Sequence, residues 1–423
     1  MAGFLCTNVY AQDVLTGSGS SYSYLGLGIP VDFRSSQASG MGLTGVAISN
    51  VDKPSLANPA FWGNAFYTTI SAGMTLNYFE AVDNFATSEN TNINFTHAHV
   101  VLPLVKNRVG LSLSVFPETQ SRYNIETLRT IGLPTSEGIQ DIEYSTQNIG
   151  LGGLNRIETG IGVRISPRLY LGYAPSLLFG VIRSENNLIF NSNQFQPVNY
   201  TVRTRYRAFG HRFGISANTI SLFRDRDRLE FGAMVSLPAN LDANRRLNSN
   251  VISDNRIGTV QLIPEDEFGQ RTISYPIQVT AGLTYYPSRY VLFSGEVNYQ
   301  QWSEYNDFDP TLESFTEDRL KIGIGGEYNL YNRGNSGFFN SFVYRAGVSY
   351  DTGHLTINGA DIETVLFSIG LGVPVRTAGS SIDLGFDFGT RGTRTNNLVR
   401  ERIFAFTASF NLSELMFLQR RLN

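Results

Sequence analysis

The sequence is poor in residues that usually form redox, metal and nucleophilic sites. In 423 residues it has one cysteine, Cys6, and four histidines. Cys6 lies in an N-terminal segment that we expect to be removed, so the mature chain would have no disulfide, thiolate metal site or cysteine nucleophile. No Ser/His/Asp group or carboxylate pair stands out, and the sequence predicts neither an enzyme nor a cofactor.

Charge of one sign and long apolar runs are also missing. Charged residues make up 16%, the formal net charge is -3 and the pI is about 5.9, so nucleic acid is not a predicted partner. No window reaches the roughly 18 apolar residues of a membrane helix. The chain is instead rich in glycine (41), phenylalanine (29) and tyrosine (21), a composition that favours one large sheet.

From residue 66 onward, apolar residues recur at every second position. In the stretch SIDLGFDFG, which starts at Ser381, the isoleucine, leucine and phenylalanines share one face, and the aspartates and glycines share the other. This period indicates strands with one apolar face. It predicts fourteen strands at about 66–83, 93–104, 108–118, 147–166, 168–183, 201–221, 227–239, 274–287, 290–303, 317–330, 341–351, 362–375, 381–391 and 401–412.

The connections between these strands alternate between short turns and long polar loops, the longest predicted at 119–146 and 240–273. An even number of strands with this alternation is typical of bacterial outer-membrane barrels. A soluble β-sandwich would leave the leucine, isoleucine and phenylalanine faces in water, and its strands would be about half as long. We therefore predict an all-β protein, a transmembrane antiparallel β-barrel of about fourteen strands in the bacterial outer membrane.

Charged side chains on the strands should point into the barrel, because an arginine or lysine in the lipid belt costs up to several kcal/mol. Acids and bases both occur, which indicates ion-paired networks that brace the wall and hold whatever fills the interior. The residues assigned to the lumen are Glu158, Arg164, Glu230, Glu296, Lys321, Glu327, Arg345, Asp383 and Asp387.

The N-terminal region does not alternate and divides the chain into three parts. Residues 1–11 are expected to be the end of a signal peptide whose start lies upstream, with cleavage after Ala11. Residues 12–65 are glycine-rich and apolar, and we expect them to fold into the lumen as a hatch ahead of the barrel at 66–423. The residues expected to shape this hatch are Gly40, Gly42, Gly45, Asn58, Pro59 and Ala60.

Several motifs carry a family resemblance. The runs YSYLGLG at 22–28, GMGLTGVAIS at 40–49 and LANPA at 56–60 are similar to the hatch of the FadL/TodX family of outer-membrane transport proteins. The stretch at 151–180 and the closing FAFTASFNLSELMFLQRR look like the Bacteroidetes variants of that family, which are related to PorV-type barrels. The similarity extends over most of the chain.

The resemblance implies a monomeric channel for passive uptake of small hydrophobic compounds such as long-chain fatty acids. Such a channel is gated by its hatch and releases its ligand sideways through a gap at a kinked third strand. On this sequence the matching position is Pro117, which either marks that gap or simply ends the strand. The alternative function is a non-transporting barrel subunit or docking partner in an envelope secretion or assembly complex.

Two further clusters stand out on single strands. His97 and His99 share one face, but no third metal ligand is visible, so no metal is predicted. Arg203, Arg205 and Arg207 also share one face. They either bind an anion, which would be a lipopolysaccharide phosphate or an anionic substrate, or they form a solvated strand end. The expected partners are thus outer-membrane lipid and lipopolysaccharide, a hydrophobic small molecule and, in the alternative, an envelope protein.

Overall fold

The computed structural model describes residues 19–50, 55–135, 138–191, 197–253, 256–260, 269–308, 314–331, 337–375 and 379–415. The expected signal-peptide end at 1–11 and the first seven residues of the expected hatch lie outside the described residues.

The described chain forms a closed antiparallel barrel of fourteen strands, which confirms the predicted fold class. Consecutive strands pair with one another, and the first strand pairs with the last from Thr68↔Glu414 to Val82↔Arg400. We number the strands β1 Thr68–Val82, β2 Thr87–Val105, β3 Val109–Pro117 with Tyr123–Thr135, β4 Gly138–Ser166, β5 Leu169–Phe190, β6 Val198–Ile220, β7 Arg228–Ser236 with Ala239–Ser253, β8 Gln270–Tyr275 with Gln278–Ser288, β9 Val291–Gln300, β10 Arg319–Asn329, β11 Val343–Asp351, β12 Thr364–Pro374, β13 Ser381–Arg391 and β14 Arg400–Glu414.

The apolar face of each strand is the outer face of the barrel. On β13, Ile382 and Phe386 are 47% and 36% exposed, whereas Asp383 between them is 0% exposed. The same alternation extends along β6, where Phe209 and Phe213 are exposed. Exposed apolar side chains around a closed barrel form a surface for lipid acyl chains.

Several strands are longer than the sequence predicted. The predicted loop at 119–146 is mostly strand, because the second part of β3 pairs with β4 from Tyr123↔Gly150 to Thr135↔Gly138. Likewise, the second part of β7 covers Ala239–Ser253 of the predicted loop at 240–273. These ladders continue beyond the apolar belt, where water bathes both faces and the two-residue hydrophobic period disappears.

Residues 19–50 and 55–66, which we call the luminal segment, fill the inside of the barrel. The segment contains a 3₁₀ turn at Ser21–Tyr24, a short helix α1 at Ser36–Ser39 and a 3₁₀ helix at Pro59–Asn64. Its apolar side chains are buried in several clusters; in one of them Met41 and Leu43 pack with the wall residue Leu292.

Short elements decorate the barrel ends. Strands Thr356–Ile357 and Ala360–Asp361 form a hairpin between β11 and β12, and Arg256–Val260 pairs back onto the end of β7. Short 3₁₀ turns lie at Trp302–Glu304, Phe338–Ser341 and Thr395–Asn397. In the part of the chain that the structure describes, no helix has the length and apolarity needed to cross a membrane.

Glycines on the inner face of the wall make room for the luminal segment. A Cβ built on Gly232 of β7 would lie 2.1 Å from the carbonyl oxygen of Val46, and one on Gly347 of β11 would lie 2.0 Å from that of Met41. Because no side chain fits there, the segment's backbone packs directly against the wall. This explains why the inner face of so many strands carries glycine residues between its charged ones.

Candidate functional site inside the barrel

A buried ion-pair network fixes Asp32 and Arg34 of the luminal segment to the wall. The carboxylate of Asp32 accepts hydrogen bonds from two guanidinium nitrogens of Arg319 at 2.9 and 3.0 Å and from the Lys321 ammonium at 2.5 Å. Arg319 also donates to Asp351 on β11 at 2.6 Å, and Arg34 pairs with Asp387 on β13 at 2.8 Å. Charged groups buried together in this way hold the segment in one position, since separating any pair leaves a bare charge.

The glycine-rich turn of the segment binds a wall carboxylate through its backbone. Glu296 of β9 accepts hydrogen bonds from the amide N–H of Thr44, from its hydroxyl at 3.0 Å and from the amide N–H of Gly45 at 3.1 Å. Gly42 and Gly45 have φ values of +68° and +86°, which other residues rarely adopt. The neighbouring Gly40 packs against Gly370 of β12, where a Cβ would fall 2.7 Å from the Gly370 Cα.

The Asn58-Pro59-Ala60 step ends the luminal segment against the opposite wall. The Asn58 amide nitrogen donates to the carbonyl oxygens of Val46 at 2.9 Å and Ile215 at 3.0 Å, and its side-chain oxygen caps the following 3₁₀ helix through the Ala60 N–H at 3.0 Å. Pro59 occupies the first helical position, which suits its fixed φ. All three residues are buried, so this step joins the segment to itself and to β6.

Replacing Asn58 by alanine is expected to lower the free energy of unfolding by about 1–3 kcal/mol, because two buried carbonyl oxygens and the Ala60 N–H lose their partner. Urea unfolding of the refolded protein in lipid vesicles measures this. Asn84→Ala, in the exposed turn between β1 and β2, is the matched control and should leave the midpoint unchanged. An Asn58→Ala variant as stable as the control would contradict the assigned role.

The third strand bends into the lumen immediately after Pro117. Pro117 still pairs with Asn155 of β4, but Glu118 turns inward and forms a buried ion pair with Arg156, while its second oxygen accepts a hydrogen bond from the Tyr275 hydroxyl at 2.9 Å. Arg156 also donates to Ser176 at 3.0 Å and to Ser236 at 3.1 Å. The bend is therefore clamped by groups from β4, β5, β7 and β8.

The bent stretch continues as a partner of the luminal segment. Thr119–Gln120 pairs antiparallel with Ile29–Pro30, and the N–H of Val31 donates to the Glu118 carbonyl oxygen at 2.8 Å. On β4, Gly152 and Gly153 have φ values of +129° and +144°, and a Cβ on Gly153 would lie 2.2 Å from the Thr119 carbonyl oxygen. We call residues 118–122 the inward bend.

The inward bend leaves one edge of β2 without a partner, although residues 87–97 still pair with β1 on the other edge. Pairing between β2 and β3 covers Val105↔Val109 to Ala98↔Val115, and among the described residues no ladder joins residues 87–97 to the second part of β3. Across this opening, the side-chain amides of Asn94 and Gln120 donate to one another, at 3.1 Å from Asn94 and 2.5 Å from Gln120.

Two cavities lie on either side of the inward bend. One of about 480 Å³ lies between the luminal segment and β1, β2 and β12–β14; it is lined in part by Phe79, Phe95 and Gln120 and reaches Pro117. The other, of about 520 Å³, lies toward the long hairpins and is lined by Tyr24, Tyr123, Tyr200 and Tyr206 together with aliphatic side chains. The 3₁₀ turn at Ser21–Tyr24 and the inward bend separate them.

Most of the charges assigned to the lumen from sequence are buried on the inner face. Arg345 donates to Glu327 and Asp383, both at 2.7 Å; Lys321 and Asp387 bind the luminal segment; and Glu230 accepts from Ser216 at 2.9 Å. Glu158 pairs with Arg212, whose guanidinium lies over the Phe33 and Phe116 rings. Arg164 is half-buried outside this network and donates to the Ser166 and Pro167 carbonyl oxygens. The sequence reading missed Asp32, Arg34, Glu118, Arg156, Arg212, Arg319 and Asp351.

The two clusters noted on single strands lie on different faces. His97 and His99 are buried on the inner face, and a ring nitrogen of His99 lies 2.9 Å from the Ser112 hydroxyl. In the described residues, no group of three or more histidine, cysteine, aspartate or glutamate side chains is placed to hold a metal ion. Arg203, Arg205 and Arg207 point outward.

The chain has the fold of FadL-type outer-membrane channels, a plugged barrel of fourteen strands, as its resemblance to that family implied. Solved structures support this. The chain is similar to the CymD monoaromatic hydrocarbon channel (13% identity, TM-score 0.53, 90% of this chain and 97% of that chain), to the Pseudomonas putida toluene transporter TodX (14%, 0.56, 91% and 98%) and to a Pseudomonas aeruginosa FadL homologue (12%, 0.60, 90% and 99%). The fold places this protein in the outer membrane.

The chain belongs to the BamG family, whose model matches residues 1–423. A search of curated proteins gives no match.

Proposed function

We propose that the protein is an outer-membrane channel for passive uptake of small hydrophobic compounds, with the luminal segment as its hatch. The observation that carries the proposal is the edge of β2 at 87–97 that faces β3: this stretch pairs with β1 on its other side, has no described ladder to β3, and lies directly beside a cavity in the lumen. A side opening next to an internal cavity provides an exit into the apolar layer of the membrane, where a hydrophobic ligand is more stable than in water.

Entry takes place from the side of the long hairpins. The cavity there presents four tyrosine rings together with Ile182, Val198, Val202 and Leu247. Such a surface gives an apolar or aromatic molecule a large contact area, and the Tyr123 hydroxyl is already hydrogen-bonded to Ser184 at 3.0 Å. Its volume of about 520 Å³ falls in the range of small-molecule sites.

The 3₁₀ turn and the inward bend act as the partition between entry and exit cavities. Ser23 and the bend share several hydrogen bonds: the Ser121 hydroxyl donates to the Ser23 carbonyl oxygen at 3.0 Å, and the Ser23 hydroxyl donates to the Arg122 carbonyl oxygen at 2.9 Å. These contacts are between neutral groups, each worth about 1 kcal/mol net. When these contacts break, the Ser23–Tyr24 end of the 3₁₀ turn moves and joins the two cavities, while Ser20 and Ser21 stay bound to Glu401 and the buried ion pairs hold the rest of the hatch.

The Asn94–Gln120 amide pair closes the exit. The two hydrogen bonds of this pair span the opening, and both are between neutral groups. An apolar ligand leaves by displacing it and passing between Phe95 and the bend.

Bridging the exit tests this function. We expect an Asn94→Cys/Gln120→Cys variant, linked by a short bis-maleimide, to lower the uptake of oleate and of toluene to the level of cells without the protein. The assay measures labelled oleate and toluene in cells whose own channel of this type is deleted.

The control variant is Thr75→Cys/Thr407→Cys. These two hydroxyls lie 2.7 Å apart between β1 and β14, line the same cavity and belong to a paired part of the wall. The linked control should retain uptake. Equal uptake with and without the link at 94 and 120 would rule out the side exit.

A second function, a docking subunit of an envelope secretion or assembly complex, is favoured by the long hairpins. Strands β3 to β7 extend as paired ladders beyond the apolar belt, which offers an extensive rigid surface for a protein partner. Native mass spectrometry of the protein taken from its own membrane in mild detergent distinguishes the two functions: a bound small lipid supports transport, and a stoichiometric protein partner supports docking.

A further inference from the structure

The outer wall of the barrel contains a basic hollow that the channel does not use. Arg203 and Arg205 of β6 and Asn244, Arg246 and Asn248 of β7 line a cavity of about 270 Å³ on the outward face. The register places Arg205 opposite Asn244 and Arg203 opposite Arg246. Three guanidinium groups and two amides therefore converge on one spot of the outer surface.

This hollow lies at the upper edge of the lipid belt. On β6, the outward positions run from Thr219, beside the short turn, through Ala217, Ile215, Phe213 and His211 to Phe209, and Arg207, Arg205 and Arg203 follow. At about 3.3 Å per residue and a tilt of about 40°, the stretch from Thr219 to Phe209 rises roughly 25 Å, which matches the ~25 Å height of a barrel's apolar band. The arginines are thus level with the headgroups of the outer leaflet.

Two of the three guanidinium groups in the hollow, those of Arg203 and Arg205, have no partner among the described residues. Arg203, Arg205 and Arg207 form no ion pair or hydrogen bond with another described residue, although each is fixed on a paired strand. Among the described residues, the acids nearby are Asp242, opposite Arg207, and Glu185, which is already paired with Arg183 at 2.6 Å. The guanidinium groups of Arg203 and Arg205 therefore have no described acid to neutralise them.

We propose that the hollow binds the phosphate of a phosphorylated outer-leaflet glycolipid, that is, lipopolysaccharide. The planar guanidinium forks of Arg203 and Arg205 match phosphate oxygens in pairs, and the Asn244 and Asn248 amides donate to the remaining oxygens or to sugar hydroxyls. The acyl chains of the same lipid lie against Phe209 and Phe213 below. Lipopolysaccharide matches this surface in both charge and position. Its phosphate lies above its acyl chains along the membrane normal, just as the arginines lie above the phenylalanines.

The test compares lipid binding by the purified full-length protein in mild detergent. Native mass spectrometry with added lipid A, phosphate-free lipid A and inorganic phosphate separates a lipid headgroup from a free anion. We expect lipid A to bind to the wild type and Arg203→Gln/Arg205→Gln to bind it about ten-fold more weakly. Phosphate-free lipid A should bind weakly to the wild type and to the variant alike, with the same affinity as lipid A has for the variant.

The matched control is Arg168→Gln/Arg224→Gln, which removes two exposed arginines from the turns at the opposite end of β5 and β6. It carries the same charge change and should bind lipid A like the wild type. The proposal is overturned if Arg203→Gln/Arg205→Gln binds like this control, if phosphate-free lipid A binds equally well, or if inorganic phosphate competes at equal concentration. Heat-modifiable migration on gels verifies that each variant is folded.

Discussion

Replacing Gly232 by valine is expected to convert the closed barrel into a conducting pore. Any Cβ at this position meets the Val46 carbonyl oxygen at 2.1 Å and the Ala47 Cα at 2.8 Å, both backbone atoms that have no rotamer to adopt. The luminal segment must therefore move away from β7, whereas the wall itself accepts valine well. A fourteen-strand barrel that loses its filling is wide enough for a water channel.

Single-channel recording in planar bilayers measures the effect. The wild type should show little or no conductance, and Gly232→Val should show steps of an open pore, at least ten-fold larger in mean conductance, since conductance follows the open cross-section. Gly295→Val is the control, because Gly295 of β9 faces outward and its Cβ would meet nothing closer than 3.7 Å. Silent Gly232→Val channels would show that the segment does not seal the lumen by direct contact with the wall.

Replacing Arg156 by methionine is expected to destabilise the protein by about 3–5 kcal/mol. The change leaves the Glu118 carboxylate buried and without its ion-pair partner, and it also removes the hydrogen bonds to Ser176 and Ser236. Because Glu118 begins the inward bend, this loss also frees the bend. Unfolding in urea, followed by tryptophan fluorescence, reports on the site directly, since Trp302 packs against Tyr275, the second partner of Glu118.

A double-mutant cycle separates the ion pair from lost packing. Glu118→Met/Arg156→Met contains no buried charge at this position and should be clearly more stable than Arg156→Met alone. Arg168→Met serves as the exposed control. If the double variant is less stable than the single one, charge pairing is not what fixes the bend.

The barrel could be predicted from sequence because lipid imposes a strict rule on every strand. Outward positions must be apolar, so a period of two residues marks each crossing, as on β13 with Ile382 and Phe386 outside and Asp383 inside. The rule ends where the membrane ends. Beyond it, Tyr123–Thr135 and Ala239–Ser253 are still strands, but their outer faces are polar and the sequence looks like loop.

The buried charges inside the barrel could be predicted only in part, because the two-residue period exists only on the strands that cross the membrane. Arg156 lies on the same face as Glu158, so the alternation of β4 could have identified it. Asp32 and Arg34 lie in a segment without a regular period, and nothing local indicates that they pair with β10 and β13. Pro117 ends the first part of the third strand, and the bend that follows depends on Glu118 meeting Arg156 and Tyr275, which come from two distant strands.

The luminal segment is hydrogen-bonded to the last strand of the barrel, which has a consequence for assembly. The Ser20 hydroxyl and the Ser21 N–H donate to Glu401 of β14 at 2.7 and 2.6 Å, across 381 and 380 positions of sequence. A segment that precedes β1 in the chain thus has a binding partner on β14, which follows all the other strands. This contact forms only once β14 is in place, so we expect the segment to take its final position in the lumen late in assembly.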